Sequence, residues 1–165
     1  MNILDDDDIE HPTPSRRLVR ERAMQAFYAW EVGHDAGGES IDFLASRIVY
    51  PEFGSNTDLL EFSRMLMLRV FNHSSECDTI ITSLAENWDF HRIAVIDKVL
   101  LRIGLTEILY FEEIPPKVTI NEVIEIAKRY STDKSGIFIN GVLDAATARL
   151  KEEGRLHKTG RGLVE

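Results

Sequence analysis

A single cysteine, Cys77, stands among 165 residues, which excludes an internal disulfide and any cysteine-built zinc or iron-sulfur centre. The five histidines, at 11, 34, 73, 91 and 157, include no pair at helical ligand spacing and no HExxH, so no metal site is expected. No run of eighteen apolar residues exists, and Asp5–Asp8 stand where a signal peptide would need basic and then apolar residues. The expectation is a soluble, cytoplasmic protein with no membrane partner. GxSxG, Walker and GxGxxG motifs are all missing, and acid pairs such as Glu112–Glu113 or Glu122 with Glu125 fall where solvated carboxylates are ordinary. No enzyme and no cofactor are therefore expected. Sustained strand alternation and solenoid-period repeats are also absent, which leaves an all-α class.

What is present is 44% hydrophobic residues, enough for a core, and a net charge of −9. That charge is unevenly spread. Asp5, Asp6, Asp7, Asp8 and Glu10 crowd residues 1–14, which hold no Lys or Arg, and Arg16, Arg17, Arg20 and Arg22 follow at once. The organisation read from this is a disordered acidic arm over 1–14, a helical domain over 15–153 and a flexible basic tail over 154–165.

Hydrophobic spacing places a first helix from Ser15, with Val19, Ala23, Ala26, Phe27 and Trp30 inward, and a second from Ser40 that Pro51 stops. A third runs over Ser55–Glu76 and a fourth, short one carries Cys77, Ile80, Ile81, Leu84 and Trp88. The almost wholly apolar stretch Ile93–Phe111 is the expected spine, and Pro115 and Pro116 break it. Thr119 and Glu122 form a capping box, with Val118 and Val123 as its staple, to open the next helix. The last helix starts near Ser135 and buries Ile139, Val142, Leu143, Ala146 and Leu150, with Gly141 expected to permit close helix contact. About seven helices result.

Three features carry possible chemistry. Arg16, Arg17 and Arg20 fan out on one flank of the first helix, either as a phosphate-sized patch or as a solvated face. Phe138 lies about 100° from the last helix's core stripe, as a rim packer or a stacking platform, one turn after Lys134. Asp97, Arg102 and Glu107 on the apolar spine read equally as an internal ion-pair network or as a contact for a partner. Cys77 reads as core packing.

The C-terminal half carries a more specific pattern. Arg92-x4-Asp97, Leu101-Arg102 with Glu107, Ile114-Pro115-Pro116-Lys117-Val118-Thr119-Ile120-Asn121-Glu122, and Phe138-Ile139-Asn140-Gly141-Val142-Leu143-Asp144 resemble the NusB family of transcription antitermination proteins. Arg20-Glu21-x-Ala23-x-Gln25-Ala26-x-Tyr28-x-Trp30 is similar to that family's first helix. The resemblance implies two packed helical bundles and no catalysis. It implies binding to boxA RNA of nascent ribosomal-RNA transcripts together with the small-subunit ribosomal protein NusE, within the RNA polymerase antitermination complex. RNA contacts are implied for Arg16, Arg17, Arg20 and Phe138, and a protein-partner contact for Asp97, while Arg102 and Glu107 stay structural. Lys134, where the family pattern often has an acid, is expected to favour RNA. A second copy of the chain is a further admissible partner, and a protein-binding helical scaffold without its own RNA role is the alternative function.

The acidic arm is expected to compete with RNA for Arg16, Arg17 and Arg20, because the tether between them is short. Deleting residues 1–14 should then tighten binding of boxA-type RNA several-fold at low salt; unchanged affinity in a fluorescence titration removes the idea.

Overall fold

The computed structural model describes residues 12–85, 87 and 89–165, so Trp88 and most of the acidic arm lie outside the described residues. Helix α1 (Arg16–Gly33) begins where Ser15 Oγ accepts the amide of Leu18 at 3.1 Å. It buries Val19, Ala23, Ala26 and Phe27, the expected face. Gly37, at φ 73°, turns the chain towards α2 (Ile41–Leu44), which Ser40 caps. That helix does not stop at Pro51. It widens into a π turn (Ala45–Val49) and ends in a 3-10 turn (Tyr50–Phe53), where proline near the start leaves no helical bond unmade.

Helix α3 (Thr57–Leu84) replaces the third and fourth helices read from sequence. No glycine or proline interrupts these residues, and Phe62, Leu66, Val70, Cys77 and Ile81 form one continuous buried stripe across the polar run His73–Glu76. Asn56, not Ser55, supplies the cap, its Oδ1 accepting from Leu59 at 3.1 Å. Cys77 is fully buried within hydrogen-bond reach of Thr106 and the Arg102 carbonyl, and burial pushes its thiol up to about 11.

Helix α4 (Val95–Tyr110) is buried at every position from Asp97 to Leu109. It packs against α1 and α3 on one side and against α5 (Pro116–Tyr130) and α6 (Asp133–Glu152) on the other. Two helical bundles thus share one spine. Gly104 allows the closest approach, since a Cβ there would lie 2.9 Å from Leu143 Cδ1. Gly141, expected to play that part, faces open space. Among the described residues the count is six α-helices, joined by short 3-10 and π turns, and no strand.

The capping box is also corrected. Helix α5 starts at Pro115 and Pro116, three residues earlier than Thr119, because Pro at the first helical position has no amide to waste and its φ is already helical. Thr119 therefore sits inside the helix, fully buried, and its hydroxyl donates to Glu107 Oε1 at 3.0 Å. Arg20 closes on the same carboxylate with Nε 2.6 Å from Oε2 and Nη2 2.8 Å from Oε1. Arg20 is 3% exposed and Glu107 fully buried. One planar, doubly bonded ion pair ties α1, α4 and α5 together at the centre of the protein. Burial pulls the Arg20 guanidinium down, but the carboxylate outweighs it and leaves its pKa raised. Arg102 makes a second clasp, bidentate to Asp78 at 2.7 and 3.0 Å and reaching Glu31 at 3.1 Å, which fastens α4 to α3 and α1.

The basic tail, expected to be flexible, is held against the body. Lys158 Nζ donates to the carbonyls of Glu107 (3.1 Å) and Phe111 (2.8 Å) at the C-terminus of α4, a favoured place for a cation. Burial pulls this ammonium down to about 8. The amide of Thr159 then bonds the carbonyl of Glu112 at 3.0 Å.

Removing one partner of the central pair should be costly. Glu107→Ala leaves a buried guanidinium unpaired, and chemical denaturation is expected to show a loss of about 3–5 kcal/mol. Replacing Arg20 and Glu107 together by Met and Leu should recover most of it; a double variant as unstable as Glu107→Ala would mean the pair is not the source.

Candidate nucleic-acid interface

The first turn of α1 projects arginines in three different ways. Arg16 is exposed, its guanidinium 4.5 Å above the Phe62 ring, a contact that holds the side chain without neutralising it. Arg17 is half exposed and grips Glu122 on α5, with Nε–Oε2 at 2.7 Å and Nη2–Oε1 at 3.0 Å. That hydrogen bond is the main reason the Glu122 carboxyl is held below the ordinary range and the Arg17 guanidinium above its own. Arg20, expected on the same exposed flank, is instead the buried partner of Glu107. It reaches Glu122 only at 3.8 Å and positions the patch from beneath. Arg22, on the other flank, pairs with Glu52 at 3.2 Å.

Arg16, Arg17, Arg20 and Glu122 border a groove of about 730 Å³ whose walls also include Val118 and Arg161. Arg161 was not singled out from the sequence because the tail was read as loose. The signal available was Gly160-Arg161-Gly162, a cation between two residues that permit a tight turn.

Lys134 and Phe138 form a second locus. They lie one turn apart on α6 and, with Leu84, Ala85 and Ile137, line a shallow groove of about 460 Å³. Lys134 is exposed and Phe138 half-buried against the core, so the aromatic serves as rim packing and still presents part of its surface. Ile137 beside it is 75% exposed. The helix start is firmer than the sequence implied. Thr132 caps it, accepting from the Ser135 amide at 3.2 Å, and Ser135 and Gly136 are buried. Arg17 meets α5 near its middle, at Glu122, while Lys134 and Phe138 stand on the first turns of the helix that follows. The structure therefore brings Arg16 and Arg17 to one groove and Lys134 and Phe138 to another.

Asp97, expected to meet a protein partner, is turned inward. Its two carboxylate oxygens accept from Ser131 Oγ at 3.1 Å and Ser135 Oγ at 2.8 Å, and the residue is buried. Its direct action is to fix the α5–α6 junction, hence the direction in which Lys134 and Phe138 leave α6. Sequence reasoning saw a charge on an apolar helix and had no means of seeing the two hydroxyls that satisfy it.

Residues 17–148 match the model of the NusB family. A relative described as transcription antitermination protein NusB, from Chloroherpeton thalassium, is 46% identical over 151 residues, covering 92% of this chain and 70% of the relative. The solved structure of T. maritima NusB is 32% identical with a TM-score of 0.75, over 88% of this chain and 100% of that one. A crystal structure of antitermination factors NusB and NusE in complex with dsRNA is 25% identical with a TM-score of 0.70, over 81% of this chain and 96% of that one.

The Arg17–Glu122 pair sets a pH dependence. Because the folded carboxyl lies below its ordinary value, its stabilisation is complete above about pH 4.5 and is lost as pH falls through the folded value. Glu122→Gln should remove this limb of the acid transition, by under about 1 kcal/mol since the pair is partly exposed. Identical melting-temperature profiles for the two proteins from about pH 6 to about pH 3, the range of carboxylate titration, would contradict it.

Proposed function

The chain belongs to the NusB family, and we propose that it acts as a transcription antitermination factor that binds boxA RNA of nascent ribosomal-RNA transcripts together with NusE. The observation that carries this reading is the family match over residues 17–148, on a fold similar to that of a chain in a solved complex of NusB and NusE with dsRNA. In this role the protein helps RNA polymerase read through terminators and catalyses nothing; its place of action is the cytoplasm, where the transcript is made. No helix among the described residues is long and apolar enough to cross a membrane.

Arg16 and Arg17 supply phosphate contacts from the first turn of α1. Lys134 adds a cation from the first turn of α6, and the half-buried Phe138 one turn on is the aromatic for stacking an unpaired base. Arg20 and Asp97 act as positioning residues, since each holds the backbone from which a contacting side chain departs. Arg17 exchanges Glu122 for phosphate when RNA arrives, so its contribution is the difference between two ion pairs. A net-acidic chain with so small a cationic patch binds RNA modestly alone, and a basic protein partner completes the surface.

The test is a titration of labelled boxA-type RNA and a scrambled control, with and without the NusE-type protein, at two salt concentrations. Selective binding that appears or sharpens with the partner supports the proposal. Equal, weak binding of both RNAs with the partner present favours the protein-binding scaffold instead. Arg16→Ala should lower the salt slope by about one, and Phe138→Asp should weaken binding by about 1–3 kcal/mol through lost stacking; Glu122→Gln should strengthen it by freeing Arg17.

A further inference from the structure

We propose that Arg161, carried back to the first helix by the docked C-terminal segment, is a further phosphate-binding cation of the RNA surface. This inference rests on the RNA-binding reading above and extends it to a residue beyond the family match, which ends at 148.

Four arginines line the groove at the start of α1, together with Glu113 and Glu122. Arg20 is fully committed to Glu107 and Arg17 is held by Glu122. Of these four, Arg16 and Arg161 alone have no carboxylate partner among the described residues, so Arg161 supplies half of the uncommitted arginine charge of the groove. An exposed cation beside a second one, with neither neutralised, is the arrangement that phosphate relieves.

The way the tail is held argues that its position is specific. Thr159 is bonded through its backbone to Glu112, and Lys158 grips two carbonyls at the end of α4. Gly160, at φ 51°, makes the turn that a side chain would strain. At Gly162 a Cβ would fall 1.8 Å from the Glu112 carbonyl oxygen, so the backbones lie closer than any other residue permits. Leu163 and Val164 are 66% and 63% exposed, so burial of these side chains is not what docks the segment. What its backbone contacts fix in place is the residue between the two glycines.

The experiment uses the full-length protein, the same labelled boxA-type RNA and scrambled control, and salt at about 50 and 200 mM. Arg161→Ala should weaken both RNAs by the same several-fold factor and lower the salt slope by about one, with Arg161→Lys retaining most of the binding. Gly162→Val keeps the charge but forces the segment off Glu112, and it should reproduce Arg161→Ala while the melting curve stays cooperative. Wild-type slope and affinity in Arg161→Ala, with Arg16→Ala still weakened, overturn this inference and leave the antitermination role standing. Failure of the wild-type protein to bind either RNA, with partner present, overturns the role and this inference with it. Unchanged binding in a folded Gly162→Val protein shows that docking is not what places Arg161, and overturns the positional argument.

Discussion

The bond between Arg20 and Glu107 is the constraint around which the rest of the protein is arranged. It lies where α1, α4 and α5 converge, and a third member, Thr119, adds a further hydrogen bond to the carboxylate. A buried pair of this kind adds little net stability compared with apolar packing, but it tolerates only one geometry. That geometry propagates outward. Arg16 and Arg17 sit one turn before Arg20 on the same helix, and Glu122 sits about one turn after Thr119 on its own. Fixing the inner pair fixes the azimuth of α1 against α5, and therefore where the outer arginines emerge.

Most of the fold could be read from apolar spacing, because spacing reports directly on which face of a helix is dry. The inner faces of α1, α4 and α6 are the expected ones. The errors came from local signals whose residues had been recruited for tertiary work. Thr119 and Glu122 have the spacing of a capping box, yet Thr119 serves Glu107 and Glu122 serves Arg17, while two prolines start the helix unaided. The boundary expected between Glu76 and Cys77 does not exist, because the polar residues before it continue the helix and pack at its rim, His73 stacking on Tyr110 and Glu76 accepting from Tyr110 and Arg155. Gly141 and Gly104 could not be told apart in one dimension, since only the position of Leu143 distinguishes a contact from open space.

The candidate site was half legible for the same reason. The arginine cluster and the Lys134–Phe138 pair were visible as residue types at helical spacing. Which arginine points inward was not, because Arg20 lies near the edge of the apolar stripe and its fate depends on a carboxylate 87 positions away. The resulting charge pattern leaves a chain of net charge −9 with exposed arginines gathered at one groove. Its arginines are largely engaged: Arg22 with Glu52, Arg102 with Asp78 and Glu31, Arg129 with Glu21. In the groove at the start of α1, Arg16 and Arg161 are the arginines with no carboxylate partner among the described residues, so each weighs heavily on the local potential.

The docked C-terminal segment makes the groove depend on a stretch of chain that follows the last α-helix. Arg16 and Arg161 border one groove although they lie far apart in the sequence, and the contacts that hold Arg161 there, from Lys158 to Gly162, all come after Glu152. A protease that clips the chain after α6 would therefore remove one wall of the groove and one of its cations without cutting any α-helix.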